Sequence, residues 1–219
     1  MRKEYLLFVL VFLSFISCDV SVNGPSTDSA LIFLNGKISN YQPDGIVVVK
    51  MERDFRITPG GEIDSIIVID STTIKLDGSF SLRLSKPPDV LLKPKNGLQC
   101  ANLVFSDDQI RTYPHSTFRL YKNNQLIGFI YCAEQVYGNN YYVGEYFTIF
   151  MYSEDTLKVS GSCGGQSGNH LVRDDINLRL CKGWNLLVKT ITEYTDTTLI
   201  TDSIIKNNFR GNWVFEELN

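Results

Sequence analysis

Apolar and polar residues alternate along most of this chain, in short stretches that end at turn-forming residues. In Ser79–Leu84, the apolar residues Phe80, Leu82 and Leu84 occupy every second position. A period of two is typical of a strand with one buried face, and no window of about a dozen residues has the spacing of an amphipathic helix. The predicted strands are Leu31–Ile38, Ile46–Val49, Ile66–Ile69, Thr72–Leu76, Ser79–Leu84, Ala101–Phe105, Thr117–Tyr121, Leu126–Tyr131, Tyr141–Tyr152, Thr156–Ser160, Ile176–Leu180, Trp184–Thr192, Thr197–Ile205 and Trp213–Phe215.

Short turns separate these predicted strands. Asp77-Gly78 lies between two strand-like segments, which is a strong signal for a β-hairpin. A second hairpin is predicted across the polar residues 122–125. Many short strands with frequent turns predict an all-β fold, and we expect an antiparallel β-sandwich.

Two segments rich in proline and glycine interrupt the strand pattern, at Pro87-Pro88 and at 93–97. They mark a predicted boundary between an N-terminal β-sandwich part, residues 30–93, and a C-terminal β-sandwich part, residues 98–219. Domains commonly contain about 100–200 residues. The length of residues 30–219 therefore fits either one large domain or two small packed sandwiches.

The N-terminal residues have the order of an export signal. Basic residues Arg2 and Lys3 precede the apolar run Leu6–Ile16, and the small residue Ser17 precedes Cys18. This order is typical of a secretory signal peptide, and a cysteine after the small residue resembles the signal of bacterial lipoproteins. The resemblance implies that residues 1–17 are removed and that Cys18 receives fatty acyl chains.

An uncleaved membrane anchor and ordinary secretion are the alternatives for this segment. A helix that spans the bilayer needs about 20 apolar residues, and the run Leu6–Ile16 is shorter, which favours a removed signal. The sequence departs from the usual lipoprotein pattern at Phe15, where leucine is common. Residues 18–29 are polar and lack a hydrophobic period, so they are predicted to be the lipidated cysteine and a flexible tether.

Two further stretches resemble lipoproteins of the Bacteroidetes. Asp70–Phe80 is similar to the β-sandwich domain that precedes thioredoxin-like domains, and the likeness covers residues 31–84. Tyr152–Gly161 and Leu180–Asn185 are similar to the C-terminal half of uncharacterised lipoproteins, over residues 146–192. The resemblance implies a β-sandwich lipoprotein of the bacterial cell envelope, with the outer membrane favoured, and it carries over no catalytic residue.

Composition excludes several function classes. The formal net charge is −3 at pH 7 and basic residues are not clustered, so no nucleic-acid partner is predicted.

A zinc site needs about four Cys or His ligands, or three with a water, and neither His115 nor His170 has such neighbours in the sequence. Both histidines are interpreted as solvated loop residues. The two aspartate pairs are interpreted as solvated turn residues, at Asp107-Asp108 and at Asp174-Asp175. No metal and no cofactor is predicted.

Four cysteines follow Cys18, at positions 100, 132, 163 and 181. In an exported chain an even number of cysteines favours disulfides, and four cysteines allow three connectivities. We expect Cys163 to pair with Cys181. Cys163 follows one predicted strand and Cys181 ends another, and neighbouring strand ends would bring the two cysteines together.

Residues 161–168 read Gly-Ser-Cys-Gly-Gly-Gln-Ser-Gly and are interpreted as a mobile loop between strands. A thiol at Cys163 beside His170 is the one nucleophile–base pair that we would nominate for a hydrolase. A disulfide at Cys163, or a wide separation from His170, would argue against that alternative.

The aromatic run Tyr137–Tyr152 contains the best candidate for a binding surface. Tyrosine combines an apolar face with a polar tip, which suits sugar rings and protein surfaces. In the strand part, even-numbered residues from 146 to 152 are predicted to share one face and odd-numbered residues the other, mainly as core packing. Tyr137, Tyr141 and Tyr142 are the candidate ligand-binding residues.

These observations predict a lipid-anchored cell-envelope protein that is not an enzyme and has a structural or binding role. Its predicted partners are the membrane, through lipid on Cys18, and a glycan or protein. One alternative is a glycan-binding accessory lipoprotein, which requires Tyr137–Tyr142 to project together into solvent. The other alternative is the hydrolase with Cys163 and His170.

Overall fold

The computed structural model of the protein describes residues 19–21, 32–55, 65–135, 141–167, 170–206 and 211–218. Within these ranges every regular element is a strand, apart from a 3₁₀ turn at Asp89–Leu91. No helix in the described ranges has the length and apolar character needed to cross a membrane. The strands are β1 (Asp19–Ser21), β2 (Ile32–Lys37), β3 (Val47–Phe55), β4 (Ser65–Ile74), β5 (Ser79–Leu84), β6 (Lys93–Pro94), β7 (Leu103–Phe105), β8 (Arg111–His115), β9 (Phe118–Lys122), β10 (Gln125–Cys132), β11 (Tyr146–Ser153), β12 (Leu157–Ser167), β13 (His170–Leu180), β14 (Gly183–Tyr194), β15 (Thr198–Ile205) and β16 (Trp213–Glu217).

The described strands form three sheets. A three-stranded sheet has the order β1-β2-β5, and a five-stranded sheet has the order β16-β10-β9-β3-β4. An eight-stranded sheet has the order β6-β8-β11-β14-β15-β13-β12-β7. The predicted all-β sandwich is confirmed, and its strands pair antiparallel except for β13 and β15, which are parallel.

The main apolar core lies between the two smaller sheets and part of the large one. Trp213 is fully buried there, and its ring centroid lies 5.0 Å from that of Phe80, 5.4 Å from Phe118 and 6.2 Å from Phe150. A Cβ at Gly36 would lie 2.6 Å from Trp213 Nε1, so glycine lets β2 pass close to the indole. Both predicted parts of the chain therefore contribute to one shared core.

The eight-stranded sheet curls around a second core. Strands β7 and β8 lie six strand positions apart in the sheet, which would be about 29 Å if the sheet were flat. Phe105 ends β7 and Arg111 begins β8, and six residues of extended chain reach at most about 22 Å. Strands β7 and β8 must therefore approach each other where this connection joins them. Strand β11 has Phe150 in the main core and Met151 in the second, as the predicted alternation requires.

Two of the predicted hairpin turns form, but only one of them joins strands that pair with each other. Asn123 and Asn124 have φ values of 51° and 63°, the left-handed pair of a two-residue hairpin turn, and the predicted β9–β10 hairpin is confirmed. At Asp77-Gly78 the turn also forms, with Lys75 N donating to Ser79 O at 2.8 Å. However, β4 pairs with β3 and β5 pairs with β2, so the predicted hairpin is wrong and the turn carries the chain between two sheets.

Two segments interpreted as loops contain strands. The glycine-rich segment from Gly161 to Ser167 continues β12, which pairs with β13 up to its last residue. A Cβ at Gly164 would lie 2.3 Å from Val172 O, so glycine here permits close backbone approach within a sheet. In the predicted tether, Asp19–Ser21 form β1 and pair with β2.

Candidate functional site

Two of the three candidate tyrosines are on the surface. Tyr141 and Tyr142 are 39% and 45% exposed and lie in the turn before β11. Tyr137 lies outside the described residues. Both described rings are accessible to solvent, as the binding hypothesis requires.

The turn that carries them is held by hydrogen bonds to β14 and to the buried side chain of Glu145. Gly144 N donates to Ile191 O on β14 at 2.8 Å, and Ile191 N donates to Glu145 O at 2.8 Å. The Glu145 side chain is buried, and its carboxylate accepts from Tyr142 N and from Gln135 Nε2, both at 3.3 Å. Gly144 has a φ of 97°, which favours glycine. The conformation of the turn is therefore set before any ligand binds.

A β-bulge near the end of β14 brings a third tyrosine to this surface. The register of β14 against β15 slips by one residue between Ile191 and Glu193. One extra residue reverses the alternation of faces. Tyr194 therefore lies on the same face as Ile191 instead of the opposite one. Its ring meets the Tyr141 ring edge to face, with centroids 5.8 Å apart.

Cross-strand pairing places Tyr194 at the end of a row. Gly165 pairs with Val172, Val172 with Leu199, and Leu199 with Tyr194, and paired residues project on the same face. A Cβ at Gly165 would have no heavy atom within 4 Å, so that end of the row is open. We call Gly165, Val172, Leu199, Tyr194 and Tyr141 the tyrosine row. The sequence pattern did not reveal it, because the bulge and the parallel pairing are not local features.

A buried carboxylate lies next to the tyrosine row on the same face of the sheet, because Asp174 is two residues from Val172 on β13. Asp174 is 8% exposed, and its Oδ1 accepts from Thr201 Oγ1 at 2.9 Å and from Ser203 Oγ at 2.6 Å. Its Oδ2 accepts from Lys189 Nζ. The interpretation of Asp174 as a solvated turn residue was wrong. These hydrogen bonds join β13 to β14 and β15, so we assign Asp174 a supporting role. No group of three or more potential metal ligands occurs among the described residues.

The disulfide joins Cys100 to Cys163, with Cα atoms 5.5 Å apart, and the predicted pairing of Cys163 with Cys181 was wrong. In the antiparallel pair β12–β13, the end of one strand lies beside the beginning of the other. Cys163 therefore pairs with Asp174, whereas Cys181 lies at the opposite end of the hairpin. Cys181 is an exposed free thiol, and Cys132 is buried and is not part of a disulfide.

The structure does not assemble the nucleophile–base pair of the hydrolase alternative. The Cys163 sulfur is bonded to Cys100. His170 pairs with Ser167, four residues along β12 from Cys163 and about 13 Å away. Cys163 thus offers no free thiol and has no neighbouring histidine base at position 170.

His115 is buried at the end of β8, 7% exposed, and its interpretation as a solvated loop residue was wrong. The Tyr113 hydroxyl lies 3.2 Å from its Nδ1. Burial lowers the pKa of the His115 imidazole to about 3, and the positive charges of Arg53 and Arg119 act in the same direction, while the backbone of Thr117 opposes them. The ring is therefore neutral at pH 7.

His115 lines a cleft of about 640 Å³ that no pattern in the sequence indicates. One wall holds a compensated charge cluster, in which Arg119 Nη1 lies 3.1 Å from Glu52 and 2.9 Å from Asp54. Tyr121 also donates its hydroxyl to Glu52. The lining residues come from separate strands, so no spacing in the sequence points to the cleft.

Comparison with known proteins adds no family to this description. No protein-family model, no curated protein and no solved structure matches the chain. The proposed function therefore rests on the tyrosine row and on the sequence of the N-terminal segment.

Proposed function

We propose that this protein is a lipid-anchored, non-enzymatic protein of the bacterial cell envelope that binds a glycan through the tyrosine row. The observation that carries the proposal is the pair of exposed rings of Tyr141 and Tyr194, in contact with each other on a fixed turn and a bulged strand end. Such rings offer an apolar face to a sugar and a hydroxyl to its polar edge. A preformed surface also lowers the entropic cost of binding.

The size of the tyrosine row favours an oligosaccharide over a folded partner. From Gly165 to Tyr194 the row crosses three strand-to-strand steps, about 14 Å, and Tyr141 extends it by one ring. A stable protein–protein interface buries about 800 Å² on each partner, which is much more than one row of side chains provides. A short sugar chain laid along the row would use most of its length.

The anchoring part of the proposal rests on the N-terminal sequence. The basic residues, the apolar run Leu6–Ile16 and the pair Ser17-Cys18 resemble a bacterial lipoprotein signal. Acyl chains on Cys18 would hold the folded part at a membrane surface and leave the tyrosine row free for ligand.

The glycan proposal predicts that Tyr141→Ala and Tyr194→Ala each weaken oligosaccharide binding by about tenfold, the effect expected from losing one stacked ring. An array of purified host, plant and bacterial oligosaccharides would identify the sugar that the unchanged protein retains. Isothermal titration with that sugar would then give the affinity of each variant.

Phe33→Ala is the matched control, because Phe33 is an aromatic residue of similar exposure, 38%, on β2 and outside the tyrosine row. Its affinity should equal that of the unchanged protein. The proposal is wrong if the array shows no retained sugar, or if the tyrosine variants bind as tightly as the Phe33 variant.

The anchoring proposal predicts that Cys18→Ser moves the protein from the membrane fraction to the soluble fraction. Each buried CH₂ of an acyl chain contributes about 0.8 kcal/mol to membrane binding, and Cys18 would be the site of all these chains. Cys181→Ser, which changes an exposed free thiol, should leave the protein on the membrane. Fractionation with immunoblotting measures the distribution, and an unmodified Cys18 by mass spectrometry would refute the anchor.

A further inference from the structure

A second pair of aromatic rings lies where β16 meets the segment before β3. The rings of Tyr41 and Phe215 have centroids 4.5 Å apart and an interplanar angle of 41°. Both residues are partly exposed, and a Cβ at Gly128 would lie 2.5 Å from the Phe215 ring, so glycine on β10 makes room for it. With Ile127, the two rings form the apolar side of a cleft of about 530 Å³, which we call the Tyr41 cleft. This volume lies within the range of small-molecule sites.

Hydrogen bonds hold the walls of the Tyr41 cleft together. Asn40 Nδ2 donates to Phe215 O at 2.8 Å, and Phe215 N donates to Asn40 Oδ1 at 2.7 Å. The Asn40 side chain therefore pairs with β16 as a neighbouring strand would. At the other end of segment 40–44, Lys122 Nζ forms an ion pair of 2.6 Å with Asp44. Both ends of this segment are fixed, so the cleft is preformed, which lowers the entropic cost of binding.

One carboxylate of the cleft lacks a cation. Glu217 is exposed and has no ion pair with the described residues, whereas Asp44 is paired with Lys122. Glu217 lies two residues after Phe215 on β16, so both side chains project on the same face of the strand. Burial raises the pKa of Tyr41, and so do the two nearby carboxylates, although Lys122 opposes them. The cleft therefore places an unpaired negative charge next to two aromatic rings.

The charges and the rings of the cleft favour a cationic ligand. Its described lining contains two carboxylates and one ammonium group, which leaves one net negative charge. Aromatic faces attract organic cations through the ring quadrupole, and the alkyl groups of such a cation gain from contact with Ile127. An anion would meet two carboxylates and a single lysine that is already paired. A neutral ligand would use the rings but not the charge.

We propose that the Tyr41 cleft binds a small organic ammonium ion. The ammonium group lies against the rings of Tyr41 and Phe215, and the Glu217 carboxylate neutralises its charge. The site is separate from the tyrosine row, because it lies on the segment before β3 and on β9, β10 and β16. Ammonium binding here does not depend on glycan binding at the tyrosine row.

Titration of the ¹⁵N-labelled whole protein with choline tests this assignment. We expect saturable shifts of the backbone amide signals of Tyr41, Phe215 and Glu217. The neutral isostere 3,3-dimethylbutan-1-ol has the shape of choline without its charge, and it should bind about fivefold more weakly or worse. Tyr41→Leu should weaken choline binding by about the same factor, because an aromatic ring is lost while an apolar side chain remains.

Two neighbouring glutamates give a matched pair of variants. Glu217→Gln should weaken choline binding by about fivefold, since the ion pair with the ligand is lost. Glu216→Gln is the control, because Glu216 is adjacent on β16 and projects on the opposite face, and it should bind choline like the unchanged protein. The proposal is overturned if choline causes no saturable shift, if the neutral isostere binds as tightly as choline, or if the two glutamate variants bind choline equally.

A free ammonium compound and the headgroup of a lipid offer the same chemistry to this cleft. Phosphatidylcholine vesicles added to the choline complex distinguish these two sources. Reversal of the choline-induced shifts by the vesicles would identify a lipid headgroup as the ligand. Unchanged shifts would identify a free ammonium compound.

Discussion

Replacing Asp174 with alanine is expected to lower the free energy of unfolding by about 3–5 kcal/mol, the range found when one partner of a buried ion pair is removed. The Asp174 carboxylate is buried and accepts from Thr201, Ser203 and Lys189. Without it, the Lys189 ammonium, which is 20% exposed, loses its counter-ion. The hydroxyls of Thr201 and Ser203 lose their acceptor inside the sheet, which adds to the cost.

The neighbouring residue provides the control for this experiment. Asp175 forms its ion pair with Arg173 in an exposed position, where such pairs contribute about 0–1 kcal/mol. Asp175→Ala should therefore unfold at nearly the same urea concentration as the unchanged protein, and Asp174→Ala at a much lower one. Equal midpoints for the two variants would mean that the Asp174 network does not stabilise the fold.

Acid is expected to destabilise the protein through His115, and the loss of stability begins above the pH range in which carboxylates titrate. Burial, Arg53 and Arg119 lower the pKa of His115 from 6.5 to about 3 in the folded state. Between these values the unfolded chain binds a proton that the folded chain does not, so the free energy of unfolding falls as the pH falls below 6.5. The loss amounts to about 2 kcal/mol at pH 5 and continues toward pH 3.

Urea denaturation at pH 8 and at pH 5 measures this loss. His115→Gln removes the titrating ring, so its stability should change by about 2 kcal/mol less between the two pH values than that of the unchanged protein. His170→Gln should retain the full change, which assigns the effect to one of the two histidines. An identical pH dependence in the His115 variant would show that His115 titrates normally in the folded state.

The candidate binding surface was predictable only in part. Tyr141 and Tyr142 were recognisable because they lie in an aromatic run next to turn residues, and the structure describes both as exposed. Tyr194 was not recognisable, since simple alternation along β14 would place it on the other face from Ile191. The bulge that reverses this depends on how β14 pairs with β15.

The sequence alone determined what depends on near neighbours in the chain. The Asn123-Asn124 hairpin follows from the ease with which asparagine adopts positive φ. The two faces of β11 follow from a period of two, because side chains of a strand alternate whatever the strand pairs with. The hypothesis of an export signal likewise uses only the order of residues in 1–18.

Tertiary structure decided everything that depends on which strands become neighbours. Cys100 meets Cys163 because β7 pairs with β12, and His115 is buried because β8 pairs with β11 next to the main core. Alternating segments of similar composition are compatible with many pairings, and local propensity does not distinguish among them. The observed pairing is selected by the sum of many weak contacts between distant segments, which becomes available only when the whole core packs.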